Sequence, residues 1–184
     1  LSSLFLPPLS FVVLPPASDV PRAEHAMILL HGYGANAQDL LPLRDVIAPS
    51  WTAIAFEAPI DLGPMGMPGG RAWFHLSPDP SGGIAYDLEG AMEAVASLAN
   101  TIPQALDQVN LKIDQSVVLG FSQGAMLGHG LVLHQQLQLR GLAACSGRLV
   151  PELFAHGQDV PESFPVFLSH GTLDELIPVT SGQA

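Results

Sequence analysis

One cysteine, Cys145, and only 6 lysines and arginines stand against 17 aspartates and glutamates, giving a formal charge of −11. A lone cysteine excludes an intramolecular disulfide and any zinc site built on several cysteines, and it fits a reducing compartment, so a cytoplasmic location is expected. Scarce cations without a Lys/Arg cluster argue against nucleic acid or a polybasic membrane surface as partner. Long apolar runs are missing too. The start from Leu4 to Leu14 is broken by Pro7 and Pro8 and lacks a basic leader, so neither a signal peptide nor stable membrane insertion is expected. The chain also begins with Leu rather than Met, and its first residue is read as not the natural start. No H-E-x-x-H, no Cys/His pair at ligand spacing and no phosphate-loop lysine occurs, so neither a metal nor an organic cofactor is implied.

What is present is apolar. With 48% hydrophobic and 12% charged residues and a mean hydropathy of +0.34, the 184 residues have material for a core and read as one domain, 1–184. Eighteen Gly and 17 Pro without a period read as many tight connections between short elements. Strands are expected at Leu9–Leu14, Ala26–Leu30, Thr52–Phe56, Ser116–Phe121, Gly141–Ala144 and Val166–Ser169. Several are apolar on both faces, as parallel strands between helix layers are. Helical patterns fill Gln38–Ala48, Asp87 to about Val109, and Gly124–Leu137, so strand and helix alternate and the class is α/β. The long helix carries an apolar stripe of Leu88, Ala91, Met92, Val95, Leu98, Ile102 and Leu106, with Pro103 predicting a kink or restart. The stretch Ile60–Tyr86, with Met65, Met67, Trp73 and Phe74 among prolines and glycines, reads as a functional excursion loop.

Gly120-Phe121-Ser122-Gln123-Gly124 is a G-x-S-x-G pentapeptide with a strand before it and a helix after it. A serine on a sharp strand-to-helix turn takes strained backbone angles, and glycines two residues either side remove side chains that would collide. Ser122 therefore reads as a nucleophile, with a structural turn serine as the alternative. Its hydroxyl needs a base, and the oxyanion formed on a carbonyl needs donors. Gln123 offers the next backbone N–H at a helix start. Tyr33, in the glycine-rich turn His31-Gly32-Tyr33-Gly34, offers the second; an ordinary tight turn is the alternative there.

These residues, with Leu30-His31-Gly32-Tyr33-Gly34, Arg71-Ala72-Trp73-Phe74 and His170-Gly171-Thr172-Leu173-Asp174-Glu175-Leu176-Ile177-Pro178, resemble the carboxylesterase/acyl-protein thioesterase family of α/β-hydrolases. The four blocks run in order from about Leu9 to Val179. The resemblance implies an α/β-hydrolase fold, a mainly parallel sheet with helices on both faces. It makes Ser122 the nucleophile, Asp174 the triad acid, Tyr33 and Gln123 the oxyanion donors, and Trp73 a wall of the acyl pocket. Asp174 also follows an apolar strand and a turn, at the carboxyl end where open sheets place their sites; Glu175 is the alternative acid.

Such enzymes order the triad Ser, Asp or Glu, then His, yet no histidine occurs among Glu175–Ala184. The domain is therefore expected to be cut short, lacking its last strand and helix, with weak turnover and an exposed edge that invites association into a homo-oligomer. His31 and His170 read as structural. His129 lies roughly 10 Å along its helix from the nucleophile, and His134 lies further still. His25 and His156 read as surface residues, and His75, beside Trp73, is the remaining substitute base. The expected activity is cleavage of a small-molecule carboxylic ester through an acyl-enzyme. An acyl-thioesterase, a lysophospholipase, or a non-catalytic scaffold of the same fold are the alternatives.

Overall fold

The computed structural model describes residues 8–17, 23–78, 84–135, 137–154 and 163–182. Its elements follow the apolar runs in chain order. They are β1 (Phe11–Leu14), β2 (Ala26–Leu30), α1 (Pro42–Ile47), β3 (Thr52–Phe56), β4 (Ile60–Asp61), β5 (Arg71–Ala72), β6 (Leu76–Pro78), β7 (Ile84–Tyr86), α2 (Leu88–Gln108), β8 (Ser116–Phe121), α3 (Gln123–Leu133), β9 (Gly141–Cys145) and β10 (Val166–Ser169). Among the described residues the main sheet has the order β1-β3-β2-β8-β9-β10. Only β1 runs antiparallel, against β3; every other pair is parallel. This is a mixed, mostly parallel sheet of the α/β-hydrolase type.

Alternation along the central strands divides the core in two. Ile28, Leu30, Ile54, Phe56, Val118 and Leu142 face the cluster built with α2 and α3, while Met27, Leu29, Ala53, Ala55 and Leu119 face the side covered by Leu40, Leu41 and Leu43. Every residue of β2 and of β3 is buried, as strands sandwiched between layers require. β10 is the opposite case. All four of its residues are exposed, which leaves an apolar sheet edge.

Four expectations shift. The helix expected over Gln38–Ala48 is confined to Pro42–Ile47. Ahead of it the Asp39 carboxylate accepts from Asn36 N–H at 2.9 Å and the Asn36 side chain accepts from Gln38 N–H at 2.9 Å, local bonds that hold turns in place of helix. The first strand begins at Phe11, because the Leu9 N–H donates to Thr101 Oγ at 3.3 Å. α3 ends at Leu133 rather than Leu137; the Gly130 carbonyl accepts from both His134 and Gln135 N–H and closes the last turn.

The fourth is Pro103. α2 runs unbroken through it, capped by the Asp87 carboxylate on Gly90 N–H at 3.0 Å. Pro103 is exposed, so the carbonyl it leaves unpaired lies on the solvent side, where water can bond it. Ala91, Val95, Leu98, Ile102 and Leu106 are buried as the stripe predicts, whereas Met92 is exposed. The excursion loop is not free of structure: β4 pairs with β5 and β6 with β7, both antiparallel. Pro103→Ala restores an intrahelical bond, and a gain of about 1–3 kcal/mol in urea unfolding is expected without change at the carboxyl edge of the sheet.

Candidate active site

Ser122 stands between β8 and α3 with φ 53° and ψ −114°, one of three non-glycine residues at positive φ among those described. Two glycines make that turn possible by letting backbones touch. A Cβ on Gly120 would lie 2.2 Å from the Gly124 carbonyl oxygen, and one on Gly124 would lie 2.0 Å from the Leu30 carbonyl oxygen. The helix start is thus pressed directly on β2 and β8. Ser122 is half-buried, its N–H donates to Cys145 O at 2.9 Å, and its hydroxyl makes no hydrogen bond to another described residue.

The turn after β2 meets this serine. A Cβ on Gly32 would sit 3.1 Å from Phe121 Cδ1, 3.3 Å from Ser122 Cβ and 3.4 Å from Phe121 O, so the two loops approach closely and a larger residue would have to push its neighbours back. Among the described residues neither the Tyr33 N–H nor the Gln123 N–H is engaged by a hydrogen-bond acceptor. Gln123 opens α3, and the first N–H groups of a helix carry partial positive charge.

The turn is held from outside by the excursion loop. Gly34 N–H donates to Arg71 O at 2.9 Å and Arg71 N–H donates to Ala35 O at 2.8 Å. The Glu57 carboxylate accepts from Ala37 N–H at 2.6 Å and pairs with Arg71 Nε at 3.3 Å. Trp73 is 1% exposed, which leaves almost no surface for a substrate. Its indole N–H donates to His31 O at 2.8 Å, and its ring lies 5.4 Å from the imidazole.

Asp174 follows β10, two strands from Ser122 at the same edge of the sheet, a lateral separation of roughly 10 Å. Its Oδ1 accepts from Leu176 N–H at 3.0 Å and Ile177 N–H at 2.9 Å. Oδ2 has only a 3.5 Å contact, with His170 Nε2.

A family model described as phospholipase/carboxylesterase matches residues 13–184. The chain belongs to that family. Acyl-protein thioesterase 1 of Saccharomyces cerevisiae is 29% identical over 180 residues, 90% of this chain and 77% of that protein. A putative hydrolase of Bacillus subtilis, MhqD, is 26% identical over 84% of this chain and 72% of its own length. Among solved structures, esterase PE8 superposes with a TM-score of 0.79 at 32% identity, over 96% of this chain and 81% of that one. A Bacillus cereus carboxylesterase shares the fold, with a TM-score of 0.76 at 19% identity over 95% and 76%. Family and relatives indicate a hydrolase acting on esters or thioesters.

The histidines of this family member divide by what they touch. His31 is buried; its Nδ1 bonds Gly32 O at 2.8 Å and its Nε2 accepts from Ala58 N–H at 3.2 Å, which requires the neutral ring. Burial pushes its pKa below 6.5, opposed by the Gly32 bond and the Glu57 and Asp39 carboxylates. His129, within α3, is also lowered by burial. His170 Nε2 donates to Ile177 O at 2.6 Å. His25 lies 5.0 Å from the Trp51 ring, before β2, and His134 caps α3. His75 is exposed. His156 lies outside the described residues. Burial raises the Cys145 thiol, so it stays protonated at neutral pH.

Sequence reasoning passed over the side chain of Gln123. It is 1% exposed, and its amide accepts from Trp73 N–H at 3.0 Å and donates to Phe74 O at 2.8 Å. The signal was a polar amide in an apolar helix start, which must find partners once buried. Glu57 was also overlooked, although a carboxylate directly after a fully buried strand falls at the carboxyl edge.

Ser122→Gly removes the positive-φ strain at the cost of chain entropy, and a stability gain of about 1 kcal/mol in urea is expected, with no hydroxyl left to react. The two lowered histidines bind protons more readily unfolded than folded. Their contribution is complete above pH 6.5 and is lost as pH falls through the lower folded values. The urea midpoint is expected to be lower at pH 5.5 than at pH 7.5, and a flat profile would contradict the assignment of both as buried neutral rings.

Proposed function

We propose that this chain is a serine carboxylesterase that cleaves carboxylic esters of small molecules through an acyl-enzyme on Ser122. The observation that carries this reading is the strained Ser122 backbone at the start of α3, next to Gln123 and close to the turn that carries Tyr33, two residues whose N–H groups have no acceptor among the described residues. The Ser122 oxygen attacks the carbonyl carbon, the two N–H groups hold the oxyanion, and collapse expels the alcohol. Water then attacks the acyl-enzyme and releases the acid. Asp174 is the acid of the triad: Oδ1 is anchored by its own loop, and Oδ2, which has only the longer 3.5 Å contact with His170 among the described residues, is the oxygen proposed to receive an imidazole N–H. Trp73 stands behind the turn that carries Tyr33.

The proton acceptor in this reading is a histidine that follows Asp174 in chain order, and residues 175–184 hold none. Esterase turnover by residues 1–184 is therefore expected to be weak. Free imidazole supplies a base, so it is expected to speed ester cleavage in a manner that depends on Ser122. Hydrolysis of p-nitrophenyl butyrate, with and without imidazole, tests this directly. Ser122→Ala is expected to reduce the enzyme-dependent rate to background, about 10³-fold or more where turnover is measurable. Wild-type rates in Ser122→Ala would overturn the nucleophile. Thioester cleavage is the second reading, favoured by the acyl-protein thioesterase names of several relatives. Matched butyryl esters and thioesters separate the two.

A further inference from the structure

We propose that Trp73, the Gln123 side chain and His31 form one positioning unit that fixes the two oxyanion donors relative to each other. The proposal rests on the reading of Tyr33 and Gln123 as those donors and adds what sets their geometry. Gln123 is bonded to the backbone of Trp73 on one side and of Phe74 on the other, through Oε1 and Nε2. The Trp73 indole then reaches across to His31 O. His31 in turn bonds Gly32 O through Nδ1 and is held by Ala58 N–H at Nε2. A continuous path of hydrogen bonds thus joins the residue that carries one donor to the turn that carries the other, although they lie 90 residues apart in the chain.

Peptide geometry gives the path its meaning. The Gly32 carbonyl and the Tyr33 N–H belong to one trans peptide and point in opposite directions. Anchoring the carbonyl toward the imidazole aims the N–H away from it, beside the serine that flanks Gly32. All three side chains are about 1% exposed, so water does not compete for these bonds, and loss of one leaves buried groups unpaired. Trp73 is a positioning residue: its bonds go to the Gln123 side chain and the His31 carbonyl, not to the two donor N–H groups.

Trp73→Phe keeps an aromatic ring and deletes the indole N–H together with part of the buried ring volume, a loss of packing for which a buried truncation elsewhere is the control. The probe is butylboronic acid, whose boron accepts the Ser122 oxygen, releases the hydroxyl proton to solvent and becomes a tetrahedral anion with one oxygen at the donors. Trp73→Phe is expected to weaken its binding about 10-fold while binding of neutral 2-hexanone changes less than about twofold. Amide exchange is expected to rise at residues 31–34 and 72–74 but not at 124–133. Leu106→Val, a fully buried change in α2 remote from the path, serves as a stability control and is expected to leave both readings unchanged. Where boronate binding depends on Ser122, unchanged affinity in Trp73→Phe, or an equal loss in Leu106→Val, overturns the proposal. No wild-type binding, or equal binding by Ser122→Ala, instead overturns the nucleophile, and exchange at 31–34 then decides the positioning unit alone. If Trp73→Phe does not fold, Gln123→Met, which keeps length and removes the amide, takes the same measurements.

Discussion

The start of α3 rests backbone to backbone on β2 and β8, and the site depends on that contact. Any side chain at Gly124 would enter the Leu30 carbonyl, and any at Gly120 would enter the first turn of the helix. The chain can turn from strand to helix over so short a distance only by forcing Ser122 to positive φ, a strain of order 1–3 kcal/mol. Burial of the helix offsets it. Ala125, Met126, Leu127, Leu131 and Val132 are all buried. Gly128 and Gly130 let α3 close on Leu142 and Val95 respectively. A helix this apolar on all sides belongs in an interior. Ser122 is therefore held by a buried, closely packed helix start.

Around it, polar groups are arranged inside apolar surroundings. The turn after β2, the residue after β3, the excursion loop and the helix start converge on one edge because the parallel strands β2, β3 and β8 all end there. Glu57, Arg71, Gln123 and His31 join these segments through bonds that are partly or wholly shielded from water. In a low-dielectric setting each such bond is stronger, and each unpaired partner costs more, than at the surface. The segment Arg71–Phe74 is consequently part of the scaffold.

What could be read from the residues follows from how local each constraint is. The G-x-S-x-G turn is local: glycine at 120 and 124 states the steric demand within five positions. β2 and β3 are legible because a strand covered on both faces has no polar alternation to mistake for a helix. The Asp174 turn closes on its own Leu176 and Ile177 amides. Trp73 was not legible in the same way. An aromatic in a proline- and glycine-rich loop suggests a pocket wall, but its burial depends on partners 42 and 50 residues distant. The restart that Pro103 suggested does not occur for a related reason, since a proline ends a helix only where nothing else holds both halves, and Leu98, Ile102 and Leu106 are packed on either side of it.

The two halves of the site differ in how they are held. Ser122, Tyr33 and Gln123 depend on central strands, with packing on both faces and contacts far apart in sequence. Asp174 depends on a loop after β10, a strand whose Val166, Phe167 and Leu168 side chains are all exposed and whose pairing is to β9 alone. Local opening follows the least buried elements. In the proposed roles, the loop that carries the acid therefore rests on fewer buried contacts than the helix start that carries the nucleophile. Electrostatic stabilisation of an oxyanion requires donors that do not reorganise, while a triad acid acts through an intervening imidazole. In the proposed reading, the more deeply packed half of the site carries the task with the stricter geometric demand.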